Sequence, residues 1–273
     1  MSKLIFLDID GTLMDFSGHI PESAKIALEK ARINGHKIFI SSGRIRKEFY
    51  SSLDNYQLDG FVAAAGAHVN YQGKDIYHHH MDKEKVAHLL RIFKENHVGF
   101  KLQASSGSYT SQEGKDKLIE IFTGIPGRSQ EWIDSIINHT DVNENLDEVE
   151  DVEKILYINA PFTVDELRSK LDASYFTVMT ASIEEPNPFS GEITEAGINK
   201  SSGIQKLLDY LKKSRNDCIA IGDGPNDVDM LLFAGVGVAM GNASEEVKAK
   251  ADMVTAAVNE DGIYKAFIKL GLI

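Results

Sequence analysis

The chain has 273 residues, 42% of them hydrophobic and 26% charged, with a formal net charge of −12. That balance describes an ordinary globular protein of one large or two modest domains, and it argues against nucleic acid or an anionic membrane as partner, since both select basic surface. The one cysteine, Cys218, excludes an internal disulfide, no apolar run approaches the ~18 residues of a membrane span, and Met1-Ser2-Lys3 leads into a strand instead of a signal peptide, so a reducing cytoplasm is the expected location.

In chain order, residues 3–9 read as a buried strand that runs into Asp8-Ile9-Asp10-Gly11-Thr12-Leu13. Alternation along a strand places Asp8 and Asp10 on the same side. Two like charges ~4 Å apart repel by about 4 kcal/mol at a surface-like dielectric, so the pair calls for a cation or a held proton. Ala24, Ala27, Leu28 and Ala31 follow helical spacing after Pro21, and Gly35 ends that helix. Lys37–Ser41 is a second strand ending at Ser42-Gly43-Arg44, and the strand–helix–strand order implies parallel pairing. From about residue 80 to 187 the texture changes. Strand-like stretches (98–104, 154–160, 174–180) alternate with helical ones (Val86, Leu89, Leu90, Phe93; then 163–171). The acidic stretch Asp141–Glu153 reads as a solvated loop or short helix, and Glu184-Glu185-Pro186-Asn187-Pro188 as a linker, since two prolines disrupt helix and sheet. The C-terminal part returns to the first pattern. Ile204, Leu207, Leu208 and Leu211 form a helical stripe, and Cys218–Ile221 a strand ending at Gly222-Asp223. A helix holding Met230 and Leu231 and the strand Val236–Ala239 follow. The expected fold is an α/β, doubly wound, Rossmann-like parallel sheet built from residues 1–80 and 187–273, with an α+β domain inserted at 81–186.

In an open α/β sheet, ligands bind outside the carboxyl ends of the strands. Those ends carry Asp8 and Asp10, Ser42, and Gly222-Asp223-Gly224-Pro225-Asn226-Asp227, so three strand ends converge on one crevice. Carboxylates from Asp8, Asp10, Asp223 and Asp227 make an oxygen-rich site suited to Mg²⁺. The run His78-His79-His80 is expected to be a polar strand leading into the inserted domain, not a metal site. Gly235-Val236-Gly237 with Gly241 lacks the spacing of a dinucleotide loop.

This combination resembles the haloacid dehalogenase-like (HAD) phosphohydrolases, and among them the Cof-type branch with an α/β cap inserted between the second and third motifs. Asp8-Ile9-Asp10-Gly11-Thr12-Leu13 fits the first motif, Ser42-Gly43-Arg44 the second, Lys200 the third and Gly222–Asp227 the fourth. Met240-Gly241-Asn242-Ala243 and Asn259-Glu260-Asp261-Gly262 fit the branch's C-terminal signature. The chain departs from the branch at Ser42, where threonine is usual, at Ala65, where an Asn-Gly-Ala turn is common, and at Ser201, where glycine usually follows the lysine. The resemblance implies a Mg²⁺-dependent phosphatase of small phosphorylated metabolites, acting through an aspartyl-phosphate. Asp8 is then the nucleophile and Asp10 the general acid and base. Asp8, the Asp10 backbone carbonyl and Asp223 hold the metal, with Asp227 in support. Ser42 and Lys200 hold the transferred phosphoryl oxygens, and Gly43, Arg44 and Asn226 are candidate substrate contacts. A phosphomutase on the same scaffold, a receiver-like signalling module and a ligand-binding homologue without activity are the alternatives. Neither the substrate nor the oligomeric state is written in the sequence.

Overall fold

The apolar run Leu4–Leu7 becomes the central strand of a parallel sheet in the computed structural model, which describes residues 2–49, 51–124, 130–181 and 187–273. In chain order the elements are β1 (Leu4–Leu7), α1 (Glu22–Ile33), β2 (Lys37–Ser41), β3 (Gly60–Ala63), β4 (His68–Tyr71) and β5 (Lys74–His78). Next come α2 (Lys83–Glu95), β6 (Gly99–Ala104), β7 (Gly107–Thr110), α3 (Gln112–Thr123), α4 (Gln130–Asn138), β8 (Thr140–Val142) and β9 (Val152–Ile158). After these are α5 (Val164–Lys170), β10 (Phe176–Thr180), β11 (Gly191–Glu195), α6 (Lys200–Leu211), β12 (Cys218–Gly222), α7 (Val228–Phe233), β13 (Val236–Ala239), α8 (Glu245–Lys248), β14 (Met253–Val254) and α9 (Gly262–Lys269). None of the described helices is long and apolar enough to cross a membrane.

Contacts divide the chain into two units. The first comprises Met1–Gly43, Tyr50–His78 and Asn199–Ile273, and the second Arg44–Phe49 and His79–Ile198.

In the first unit the strand order is β14-β13-β12-β1-β2-β3-β4-β5. Pairing is parallel from β14 to β3 and antiparallel from β3 to β5, so the expected parallel core carries an antiparallel edge. Leu4, Phe6, Phe39 and Val62 point to one face and pack under Ile204, Leu207 and Leu208 of α6 and Met230 and Leu231 of α7. Strand alternation leaves Ile5, Leu7, Ile38 and Ile40 on the other face, and all four are fully buried. Leu7 lies opposite Ile221 on one side and Ile40 on the other, so the residues after β1, β2 and β12 emerge together.

In the second unit the order is β10-β11-β9-β6-β7-β8, antiparallel except for β7 with β8. Its core gathers Leu89, Leu90 and Phe93 of α2 against Phe100, Leu102, Ile155 and Tyr157. Three boundaries differ from expectation. The chain does not rejoin the first unit at 187: β11 first pairs with both β9 and β10, and the return comes at Asn199. Residues 184–186 of the expected linker lie outside the described residues. The acidic stretch Asp141–Glu153 does hold a short helix, one turn at Leu146–Glu148, but its ends are strand: Asp141 and Val142 belong to β8, and Val152 and Glu153 to buried β9. The histidine run is split: His78 closes β5 with its ring stacked on His68 at 3.9 Å, and His79 hydrogen-bonds the Glu195 carboxylate at 2.9 Å.

Candidate active site

Asp8 follows directly on β1 and is held in line by its amide, which donates to the Ile221 carbonyl at 3.0 Å. The chain then turns back sharply. The Gly11 amide donates to the Met14 carbonyl at 2.7 Å, and Asp10 bridges Met14. Gly11 has φ +83°, and a Cβ there would sit 2.2 Å from Asp223 Oδ2, so only glycine lets the first acidic loop close on the second. That closure is what joins the two ends of the sequence.

Lys200 is the first residue of α6. Asn199 caps that helix, its Oδ1 accepting from the Ser202 amide at 2.8 Å, which sets where the helix starts and so where Lys200 points. Ser201, in place of the usual glycine, fits here: its amide donates to Asp229 Oδ2 at 2.9 Å and its hydroxyl to Asn199 Oδ1 at 2.8 Å. The Lys200 ammonium is buried between two carboxylates, donating to Asp8 Oδ1 at 2.7 Å and to Asp227 Oδ1. The other Asp227 oxygen accepts from the amides of Asp223 (3.0 Å) and Gly224 (2.9 Å). Both Asp227 oxygens are therefore engaged, which suits an anchor for Lys200 and for the loop after β12.

Asp223 receives Thr12 Oγ1 at 2.7 Å on Oδ1 and Asn242 Nδ2 at 3.3 Å on Oδ2. Asn242 also donates to the Gly11 carbonyl at 2.9 Å and accepts from the Val258 amide at 3.0 Å, tying three loops together. Thr12 and Asn242 carry no role that the sequence alone assigns; the Asp-Gly-Thr and Met-Gly-Asn runs are the signals that contain them. Ser42 is buried, with its amide on the Val62 carbonyl (2.9 Å) and its carbonyl accepting from the Ala65 amide (3.0 Å). Gly43 is the last residue of this stretch of the first unit. Arg44 belongs to the second, where its Nη1 reaches the Glu48 carbonyl at 3.4 Å. Asn226 sits in the short turn Pro225–Asp227.

Asp8, Asp223 and Asp227 each present a carboxylate oxygen within 4.8 Å of the others. Burial, then the nearby charge of Asp227, pushes Asp8 well above the usual carboxylate range, although Lys200 pulls the other way. Burial and Asp227 likewise push Asp223 up to about 7, against the pull of Thr12 and Lys200, and Asp10 adds to both. Lys200 behaves oppositely. Burial disfavours its charge, but Asp227 and Asp8 overcome that and hold the ammonium above its ordinary range. Asp8 and Asp227 thus share one ammonium, with Asp223 alongside. An all-oxygen, anionic donor set with excess negative charge fits a hard divalent cation.

Residues 5–267 match the family model of the haloacid dehalogenase-like hydrolases. The putative phosphatase YkrA of Bacillus subtilis is 30% identical over 272 residues, covering 100% of this chain and 99% of its own. The 5-amino-6-(5-phospho-D-ribitylamino)uracil phosphatase YitU, also of Bacillus subtilis, is 31% identical over 272 residues, covering 97% and 96%. Among solved structures, the HAD phosphatase BT1666 of Bacteroides thetaiotaomicron superposes with a TM-score of 0.81 at 27% identity, covering 100% of this chain and 96% of its own. A sugar phosphatase of HAD subclass IIB superposes with a TM-score of 0.76 at 28% identity, covering both chains fully.

Proposed function

Since the chain belongs to the haloacid dehalogenase-like hydrolases and is a phosphatase, we propose that it is a Mg²⁺-dependent phosphomonoesterase of small phosphorylated metabolites, working through a phosphoaspartate on Asp8. The observation that carries the reading is the Lys200 ammonium at 2.7 Å from Asp8 Oδ1, pinned from behind by Asp227, beside the Asp223 carboxylate. Asp8 Oδ2 is then the oxygen that attacks phosphorus while the bond to the leaving oxygen breaks. Asp10 donates a proton to that leaving oxygen, then takes one from the water that cleaves the phosphoaspartate, releasing phosphate and restoring Asp8. Lys200 and Ser42 hold the transferred oxygens, the first as a fixed charge and the second as a hydrogen-bond donor.

Mg²⁺ held by Asp8, Asp223 and the Asp10 carbonyl would offset the repulsion between an acidic site and a phosphate dianion. Burial favours the protonated form of Asp8, whereas the nucleophile must be the anion. Lys200 works toward the anion.

A phosphorylated sugar or polyol is the substrate class we favour, in keeping with the phosphoribityl compound in YitU's name and the sugar phosphatase among the structural relatives. We assign the choice among such substrates to the inserted second unit. The test is phosphate release from a panel of sugar and polyol phosphates, with Mg²⁺ and with chelator. Turnover should require Mg²⁺, fall to background in Asp8→Asn, and leave density on Asp8 after beryllium fluoride trapping. Undiminished turnover in chelator or in Asp8→Asn defeats the reading.

A further inference from the structure

The turn after β3 passes through three residues with positive φ: Ala64 at 49°, Ala65 at 52° and Gly66 at 109°. An alanine in that region crowds its Cβ against the next carbonyl, and two in succession persist only where their surroundings dictate the shape. All three residues are buried. What surrounds them is informative. The Ala65 amide donates to the Ser42 carbonyl at 3.0 Å, so the turn closes on the residue just after β2. Gly66 lies against the residue just before Lys200: a Cβ built there would fall 2.0 Å from the Asn199 carbonyl oxygen and 2.7 Å from its carbon. Gly203 makes the same room from the helix side, since its Cβ would meet Val62 Cγ1 at 2.6 Å and Gly66 Cα at 2.9 Å. One strained turn therefore touches both backbone segments that bear phosphoryl-holding side chains.

We propose that Ala65 and Gly66 are positioning residues, and that the turn fixes the separation between Ser42 and Lys200 to which the transferred phosphoryl group must fit. The proposal rests on the roles given above to Ser42 and Lys200. Ala65 acts through its backbone N–H, and Gly66 by having no Cβ. Neither needs to reach substrate. A methyl at Gly66 would have to push the start of α6 by about 1 Å or more to reach ordinary contact, and a displacement of that size at a reacting centre costs on the order of 10²-fold in rate.

Gly66→Ala and Gly203→Ala drive the same contact apart from opposite sides. Gly203→Ala also places a better helix former in α6, which keeps the test open if Gly66→Ala does not fold. The measurements are kcat on p-nitrophenyl phosphate, inhibition by inorganic phosphate, half-saturation by Mg²⁺, and circular dichroism of each variant. Both variants should lose 10-fold or more in kcat and in phosphate inhibition, with Mg²⁺ half-saturation moving less than 2-fold. A loss of folding alone would move the yield of active enzyme but not the inhibition constant of the remaining sites. Folded Gly203→Ala with unchanged phosphate inhibition overturns the proposal. Ser42→Ala and Lys200→Ala separate the two possible failures. If they leave phosphate inhibition unchanged, the roles themselves are wrong and the proposal falls with them. If they weaken it while Gly203→Ala does not, the roles stand and the turn has no part in them.

Discussion

Both units bury carboxylates beside a lysine, and the carboxylates move in opposite directions. In the second unit, Glu48 Oε1 accepts from Lys101 Nζ at 2.5 Å and Ser108 Oγ at 2.6 Å, and Oε2 from Gln103 Nε2 at 2.6 Å. Burial opposes its charge, yet Lys101, Ser108 and the Arg44 charge overcome that and bring the carboxyl down to about 2. In the first unit one ammonium is shared by Asp8 and Asp227 with Asp223 alongside, and Asp223 rises to about 7. Depth of burial is similar in the two places. What differs is the supply of donors per carboxylate, and that decides the sign. A balanced buried pair holds structure together. An unbalanced cluster at strand ends marks the place where a cation and an anionic substrate are expected to complete the charge.

The largest expected effects test this contrast directly. Asp8→Asn should bring turnover to background with little change in stability, because the amide oxygen still accepts from Lys200 and one charge leaves an overfilled cluster. Glu48→Gln should do the reverse to stability, costing about 3–5 kcal/mol in urea unfolding by leaving Lys101 buried without a counter-charge. Replacing the pair together, Glu48→Met with Lys101→Met, should recover only part of that loss, since Ser108 and Gln103 are left without their acceptor. If Asp8→Asn unfolds the chain, or Glu48→Gln leaves the urea midpoint in place, the division between a functional and a structural cluster fails.

A pH series of urea unfolding in chelator separates the two units by the sign of their slopes. Asp223 has a folded pKa raised from 3.8 to about 7, so the folded state binds the extra proton between those values. Its contribution is fully present below 3.8 and is lost as pH rises through 7. Glu48 is lowered from 4.5 to about 2. Its contribution is present above 4.5 and is lost as pH falls toward 2, on the order of 3 kcal/mol over the window. Stability should therefore decline on both sides of a maximum between about pH 4 and 5. Saturating Mg²⁺ should flatten the upper limb only, and at 100 times its dissociation constant should add about 2.7 kcal/mol at neutral pH. An upper limb that stays the same with Mg²⁺ would separate the ion from the Asp8–Asp223 cluster.

Much of the first unit was legible in the sequence because its signals are local. Lys37–Ser41 is an apolar run with a polar end, and Asp8 and Asp223 sit where such runs stop. Lys200 was found through its order among the motifs, since a lysine at a helix start carries no signal alone. What escaped was long-range or silent. Glu48 and Lys101 are 53 residues apart and nothing local links them. β11 was missed because Pro186-Asn187-Pro188 read as the end of a domain, whereas a strand follows within three residues of Pro188. The turn at Ala64–Gly66 was legible only as a place in the family pattern, because alanine carries no turn preference; its shape is dictated by Ser42 and Asn199, which lie far off in sequence.

That turn supports the smallest and most local prediction. Ala65 holds φ 52° and ψ 30°, which costs an alanine roughly 1–2 kcal/mol relative to the right-handed region. Glycine at that position removes the penalty, but it loses a buried methyl, about 0.8 kcal/mol, and gives the unfolded chain more freedom, a further loss of about 0.4–1 kcal/mol. Ala65→Gly should therefore leave stability within about 1 kcal/mol of the parent chain. Ala67, two residues on and equally buried, has φ −71° and ψ −27°, an ordinary right-handed conformation. Ala67→Gly gains nothing in the fold, loses a buried methyl and frees the unfolded chain, so it should lower stability by about 1 kcal/mol or more. The same chemical change two residues apart is thus expected to cost about 1–2 kcal/mol more at Ala67 than at Ala65 in urea unfolding. If both variants lose the same stability, Ala65 carries no strain.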